Sequence, residues 1–340
     1  MKPAPYVAKW WEKADNGKLL CTLCPRLCTI GEGQRGFCYV RINKDGILYS
    51  EGYGTSSGFA VDPIEKKPLF HFLPGSSILS FGTVGCNLGC KFCQNHSISK
   101  IENGYSELLK VTPENIIELS QKTGSPSVAI TYNDPVIIGE FVADIAYEAH
   151  LQQINTVLVT AGYINEKARE NVFRFVKAAN VDLKGFTESF YREYTGTHLQ
   201  PILETLLWLR HKTNIWFEIT TLLIPGVNDS DSEIIAECEW ILEHLGSDVP
   251  LHFTSFHPDY KMKNYPSTEV ATIMRAESLA KLVGLHYVYG GNVHNTELQT
   301  TFCSSCGEPL IVRDWHSVLT DTMVHGTCPH CSMIIPGVFN

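Results

Sequence analysis

No stretch of this 340-residue chain approaches the roughly 18 uninterrupted apolar residues that a bilayer-spanning helix requires. Its first twenty residues, MKPAPYVAKWWEKADNGKLL, hold no continuous apolar core of signal-peptide length. The expected location is therefore the cytoplasm, with no membrane partner. A basic excess is also missing: 27 Lys and Arg against 36 Asp and Glu leave a net charge of −9. An acidic balance offers little to a phosphate backbone, which argues against nucleic acid as a partner. Internal repeats and low-complexity tracts are absent. What remains is a globular chain, 44% hydrophobic, long enough for one large α/β domain or two smaller ones.

A further lack concerns cysteine. Cys86, Cys90 and Cys93 stand at C-x3-C-x2-C in FGTVGCNLGCKFCQNHSIS (81–99), and no fourth cysteine follows nearby. Zinc knuckles and iron–sulfur cubes usually take four protein ligands. Three thiolates can hold three irons of a cubane and leave the fourth open to a ligand the protein does not own, whereas pure electron transfer gains nothing from an open iron. A zinc knuckle with a distant fourth ligand is the alternative reading. Gly85 and Gly89 give the loop room to wrap a compact cube.

The twelve cysteines fall into three groups plus Cys238, and in a reducing compartment metal explains close pairs better than disulfides do. Cys303-x2-Cys306 and Cys328-x2-Cys331 form a zinc-ribbon-like pattern, structural zinc being expected and an auxiliary cluster the alternative. Cys21, Cys24, Cys28 and Cys38 form C-x2-C-x3-C-x9-C, a pattern that fits zinc or iron–sulfur, with zinc the first expectation. Cys238 shares a helix face with Ile234, Ile235, Ile241, Leu242 and Leu245, so it reads as core.

Short apolar runs at 78–83, 127–132, 154–161, 180–185, 215–223, 251–256 and 285–290 read as strands buried on both faces. Helical patterns lie between them at about 113–123, 137–152, 165–178, 199–212, 230–246 and 268–283; the first opens on Thr112-Pro113-Glu114, an N-cap followed by a helix-first proline. This alternation predicts a parallel sheet with right-handed crossovers, a partial or nearly closed (β/α) barrel. The expected divisions are a Cys-rich segment at 1–76, the barrel at 77–297 and a zinc-ribbon-like appendage at 298–340. Chemistry in such a fold sits at the C-terminal ends of the strands. Those positions carry the three cysteines, Asn133 and Asp134, Thr160 and Gly162, Asp182 and Lys184, Glu218 and Thr220, and His257.

C-x3-C-x2-C after the first strand of a barrel resembles the radical SAM superfamily. DPIEKKPLFHFLPG (62–75), CQN (93–95), TYNDP (131–135), VDLKG (181–185) and IPGVND (224–229) are similar to its pyruvate formate-lyase-activating-enzyme-like subgroup, and the flanking cysteine regions most resemble the radical SAM enzymes of the AmmeMemoRadiSam system. The resemblance implies an oxidoreductase whose [4Fe–4S] cluster cleaves S-adenosylmethionine to a 5′-deoxyadenosyl radical, with reduced flavodoxin or ferredoxin as electron donor. The substrate would be a glycyl residue of a partner protein or a small molecule. A non-catalytic iron–sulfur and zinc carrier or scaffold is the competing class.

By the same resemblance, Phe92 lies against the adenine and the Asn133–Asp134 segment receives the methionine ammonium, although Asp stands here where Glu is commoner. Thr160 and Gly162 match a Thr-Asn-Gly segment with Ala161 in its middle. Asp182 and Lys184 border the methionine carboxylate, with an ordinary internal ion pair as the alternative. His257 lies near ribose and adenine unless it is merely structural.

Overall fold

A computed structural model describes residues 6–100 and 108–339. Its centre is an eight-stranded sheet: β1 (Phe59–Pro63), β2 (Ser77–Phe81), β3 (Ser127–Ile130), β4 (Asn155–Thr160), β5 (Ala178–Asp182), β6 (Trp216–Leu223), β7 (Leu251–Ser255) and β8 (Val288–Gly291). The strands lie side by side in chain order. β2 to β8 are parallel, with pairs such as Ala129↔Ser80 and Asn180↔Glu218, and β1 is antiparallel to β2. Among the described residues β1 and β8 do not pair, so the barrel is open rather than closed.

The strand runs carry apolar residues at successive positions because helices cover the outer face while residues 62–75 pack against part of the inner one. β3 and β7 are buried at every residue. The crossovers are α1 (Pro113–Lys122), α2 (Gly139–Leu151), α3 (Glu166–Phe173), α4 (Gln200–Lys212), α5 (Asp231–His244) and α6 (Val270–Val283). At the start of α1, Thr112 Oγ1 accepts from Asn115 N–H and Asn115 Oδ1 accepts from Thr112 N–H, a capping box around Pro113. α3 ends at Phe173, five residues short of its expected end. Cys238 on α5 is fully buried among Ile234 and Ile241, as expected of core.

Two smaller parts flank the sheet. At the N-terminal side, strands Trp11–Lys13, Leu19–Cys21 and Thr29–Ile30 form one antiparallel sheet, and Tyr6–Val7, Ile47–Ser50 and Arg41–Lys44 another. Buried Arg41 anchors them to α2 through a bidentate pair with Glu140 at 2.8 and 2.6 Å. At the C-terminal side, Thr301–Phe302, Pro309–Asp314 and Ser317–Asp321 form a third sheet. Arg313, fully buried, seats it on the barrel: its guanidinium lies 4.3 Å over the Phe70 ring and donates to Phe70 O at 2.7 Å and Thr301 Oγ1 at 2.9 Å.

Candidate active site

The loop after β2 carries Cys86, Cys90 and Cys93 at the C-terminal edge of the sheet, and its course is fixed by hydrogen bonds from three directions. Asn133, after β3, accepts from Thr83 N–H through Oδ1 (3.1 Å) and donates to Gly85 O through Nδ2 (2.7 Å). A single π-helical turn, Tyr191–Thr195, turns its carbonyls toward the loop: Thr195 O receives Gly89 N–H at 2.7 Å and Tyr194 O receives Lys91 N–H at 2.8 Å. Gly85 N–H in turn donates to Ile98 O at 2.9 Å. An extended loop thereby becomes a rigid frame for three thiols.

Those thiols open onto a cavity of about 590 Å³ at the strand ends. From the cysteine loop come Cys86, Cys90, Phe92 and Cys93; from the end of β3 come Asn133 and Asp134; from β4, Thr160 and Ala161. β5 supplies Asp182 and Lys184, and β6 supplies Thr220. Tyr132, on the same wall, holds a left-handed backbone (φ 69°) that lets Asn133 and Asp134 diverge toward their separate tasks.

Asp134 is committed to the protein rather than open to solvent. Its Oδ1 accepts from Val136 N–H and Thr160 Oγ1, both at 3.0 Å, and its Oδ2 accepts from Ala161 N–H at 3.0 Å. It therefore ties the ends of β3 and β4 together. Burial pushes its pKa up against the pull of those donors. Lys184 Nζ meets Asp182 Oδ2 at 3.0 Å and lies 6.0 Å from the centre of the Phe92 ring. Burial disfavours its charge, but the Asp182 carboxylate and the Cys90 thiol beside it win, and its pKa rises. Burial drives the Cys90 thiol up to about 12, with Lys184 opposing, and raises Cys86 for the same reason. Thiols in such a place become thiolates only against a strong cation, which is what a metal cluster supplies.

Three of the rim residues expected from sequence stand elsewhere. Gly162, in a left-handed turn behind the cavity wall, receives Thr205 Oγ1–H on its carbonyl at 2.7 Å. His257 is exposed beyond the end of β7 and lies outside the cavity lining. Glu218 is fully buried below the cavity: its carboxylate accepts from Phe70 N–H (2.9 Å), His71 N–H (2.8 Å), Trp216 Nε1–H (3.0 Å) and His252 Nε2 (2.7 Å). Burial resists its charge, but these donors and the neighbouring histidines overcome it and lower its pKa. It clamps the 62–75 segment to β6.

Sequence reasoning passed over other lining residues. His252 and Thr254 point the same way from β7, a period-two signal that the apolar run LHFTSF masked. Glu65 and Lys67 line the cavity from the 62–75 segment, and Gln299 and His316 arrive from the C-terminal part. Glu65 Oε2 has no hydrogen-bond partner although the residue is 1% exposed. Nothing in the local sequence of Gln299 or His316 signals a position beside Cys86.

The other cysteines differ in geometry from the triad. In the C-terminal quartet, Cys303 Sγ lies 3.5 Å from Cys331 Sγ and Cys306 Sγ 3.7 Å from Cys328 Sγ. Four thiolates around one tetrahedral ion at about 2.3 Å would stand about 3.8 Å apart. Among the described residues this is the one group of at least three such ligands within 4.8 Å of one another. Burial opposes ionisation of Cys303, yet the N–H groups of Cys306 and Ser305 aimed at its sulfur bring its pKa down to about 7. This site suits a single metal ion. The triad, more widely spaced and facing a cavity, suits a polynuclear cluster.

Residues 81–238 match the model of the radical SAM superfamily, a span that begins at the end of β2 and takes in the triad, Asp134, Thr160, Asp182 and Lys184. The chain belongs to the radical SAM superfamily. A radical SAM enzyme of this family holds a [4Fe–4S] cluster and S-adenosylmethionine, and the triad and its cavity fit both. An uncharacterised protein of Methanocaldococcus jannaschii is 40% identical over 306 residues, 90% of this chain and 91% of that one. The (2S)-3-sulfopropanediol dehydratase activating enzyme of Klebsiella oxytoca is 26% identical over 179 residues, and the match spans about half of each chain, 48% of this one and 56% of that one. Among solved structures, a radical SAM methyltransferase from Sphaerobacter thermophilus superposes with a TM-score of 0.51 at 13% identity, over 86% of this chain and 79% of that one, a likeness of fold.

Proposed function

We propose that this radical SAM enzyme cleaves S-adenosylmethionine reductively at a cluster held by Cys86, Cys90 and Cys93, and abstracts hydrogen from a substrate seated in the same cavity. The observation that carries the reading is the convergence of three thiols, a lysine and a carboxylate on one cavity of about 590 Å³. When bound, the cluster and S-adenosylmethionine supply the electron and the carbon-centred radical. The chain supplies position and shelter. Lys184 presents its ammonium to the methionine carboxylate while Asp182 holds it in place. Asp134 locks Thr160 and Ala161 beside the Asn133 turn, so the polar backbone there faces the methionine head as a fixed surface. Buried Phe92 offers its ring to the adenine. Gly162 supports this wall from behind, and His252 lines the cavity whereas exposed His257 does not.

The substrate end of the cavity is built by Glu65, Lys67, Gln299 and His316. A second reading, favoured by relatives named as activating enzymes, is that the substrate is a glycyl residue of a partner protein. Electrons come from a reduced flavodoxin or ferredoxin, the C-terminal quartet holds structural zinc, and the enzyme works in the cytoplasm.

Replacing Cys86, Cys90 and Cys93 together by Ala tests the core of this reading. The reconstituted variant should form no 5′-deoxyadenosine from S-adenosylmethionine with dithionite while keeping its zinc. Normal cleavage by the variant would refute it. A stable glycyl-radical signal on an added partner protein, in place of turnover of a small molecule, would select the second reading of the substrate.

A further inference from the structure

The 62–75 segment carries two adjacent lysines, Lys66 and Lys67, and both line the cavity at the end that Gln299 and His316 help to build. Both ammoniums lean on one carboxylate. Asp62 Oδ1 accepts from Lys66 Nζ at 2.8 Å, and Oδ2 accepts from Lys67 Nζ at 2.7 Å and from Tyr132 Oη at 3.1 Å. Burial resists the Asp62 charge, but the two lysines outweigh it and lower its pKa. Two cations on one anion leave a positive charge unmatched. The neighbouring Glu65 does not cancel it, because Glu65 Oε1 faces the Arg313 guanidinium at 3.4 Å and accepts from Gly75 N–H at 2.9 Å. Lys66 reaches solvent with 49% of its side chain exposed, whereas Lys67 keeps only 3%. An ammonium has three N–H donors, and among the described residues Lys67 spends one, on Asp62. Burial lowers its pKa against the pull of Asp62, so an ammonium in this place gains from a further anion.

The C-terminal part closes the same end. Strands Pro309–Asp314 and Ser317–Asp321 are joined by the turn Trp315-His316, with Asp314 paired to Ser317 and Trp315 at φ 58°. Gln299 Oε1 receives Trp315 N–H at 2.7 Å, and Gln299 Nε2 donates to Val293 O at 3.0 Å. The Trp315 ring stacks on His294 with centroids 4.5 Å apart. The turn is thereby fixed, and it carries His316 to the cavity. Burial, then the charges of Lys66 and Lys67, hold the His316 pKa below its ordinary value, with Asp62 opposing. His316 therefore stands beside both lysines as a neutral imidazole with an N–H to donate.

We propose that Lys67 and His316, with Lys66 at the rim, form an anion subsite that receives a carboxylate or phosphate group of a small-molecule substrate. The subsite rests on the reading of this cavity as the active site, and it deepens that reading by giving the substrate a charge. The unmatched charge attracts the anion, and the spare ammonium N–H groups and the imidazole N–H fix it by hydrogen bonds. A glycyl residue of a partner protein brings no charge of its own to this place, so the subsite favours the small molecule. It also gives the C-terminal part a task, which is to hold His316 beside the lysines.

The test uses the full-length chain with Cys86, Cys90 and Cys93 replaced by Ala, so that nothing in it depends on S-adenosylmethionine cleavage. Labelling histidine with nitrogen-15 and comparing the spectrum with that of the added His316→Gln change identifies the His316 ring signals. Acetate and inorganic phosphate are then titrated separately at fixed ionic strength. At least one of them should move the His316 signals along a saturable curve, and Lys67→Met should weaken that binding about tenfold. Tighter phosphate assigns a phosphate-bearing substrate, and tighter acetate a carboxylate. No saturable shift with either anion, as a cavity built for a glycyl residue would give, or an unchanged curve in Lys67→Met, would overturn the subsite. The parent titration decides the matter even if Lys67→Met does not fold. Anion binding without any 5′-deoxyadenosine formation by the native, reconstituted chain would instead overturn the proposed function.

Discussion

Replacing Lys184 by Met removes one positive charge from the cavity and keeps most of the apolar stem. The backbone N–H of Lys184 is held by Tyr191 Oη at 3.0 Å and does not depend on the side chain. Among the described residues the ammonium has one hydrogen-bond acceptor, Asp182 Oδ2 at 3.0 Å, and the two side chains keep 18% and 30% of their exposure. A pair that reaches solvent contributes no more than about 1 kcal/mol to stability, so the melting point of the variant should fall by about 2 °C or less. A charge-assisted hydrogen bond to the methionine carboxylate is worth about 1.5–3 kcal/mol, so affinity for S-adenosylmethionine should fall about tenfold to a hundredfold. Titrating S-adenosylmethionine against the reconstituted variant, beside a melting curve, reads both quantities. The double variant Lys184→Met, Asp182→Asn should bind as weakly as the single one, because the missing charge, not the orphaned carboxylate, is the defect. An affinity within about twofold of the parent, some 0.4 kcal/mol, or recovery in the double variant, would refute the assignment.

Three further expectations concern the C-terminal quartet, Glu218 and His71. Cys306→Ser should lower zinc content by about one ion per chain and loosen the segment after Thr301, read by metal analysis and limited proteolysis, because a tetrahedral site missing one thiolate loses most of its folding contribution. Glu218→Gln presents an amide N–H2 where donors now converge from Phe70, His71, Trp216 and His252, so at least one buried donor loses its acceptor; unfolding in urea should show a loss of about 1–3 kcal/mol. His71 is neutral in the fold: Nδ1–H donates to Pro336 O and Nε2 accepts from Tyr289 Oη, each at 2.6 Å, and burial lowers its pKa to about 4. Its ordinary value is about 6.5, so the unfolded chain takes up the proton first. The contribution is whole above pH 6.5 or so and is lost as pH falls toward 4, by about 3 kcal/mol. Apo protein should melt progressively lower across that window, and a flat profile would refute the neutral assignment.

The chain alone determined the elements and the order of the chemistry. Seven parallel strands were legible because a strand buried on both faces must be apolar at successive residues, as β3 and β7 are. The rim residues were legible because parallel strands all end on the same side, so reading the strand ends finds Asp134, Thr160, Asp182 and Lys184. The triad was legible because its ligands are close in sequence and its spacing is chemical. The antiparallel strand β1 went unread: Phe59–Pro63 is short, ends in proline and alternates weakly.

Tertiary structure alone decided which side chains share space across long sequence separations. It brought Gln299 and His316 to the cavity of Cys86, and sent Glu218 beneath the cavity to clamp Phe70 and His71, 148 and 147 residues away. It left His257 outside because β7 stops at Ser255. It also decided the spacing between sulfurs. Spacing along a chain limits how near two thiols can come, whereas their actual separation depends on the walls that hold the loops. Closely apposed knuckles bring the C-terminal sulfurs to a single ion's distance, while Val136, Ile137 and Leu23 help hold the N-terminal four around a small cavity of their own.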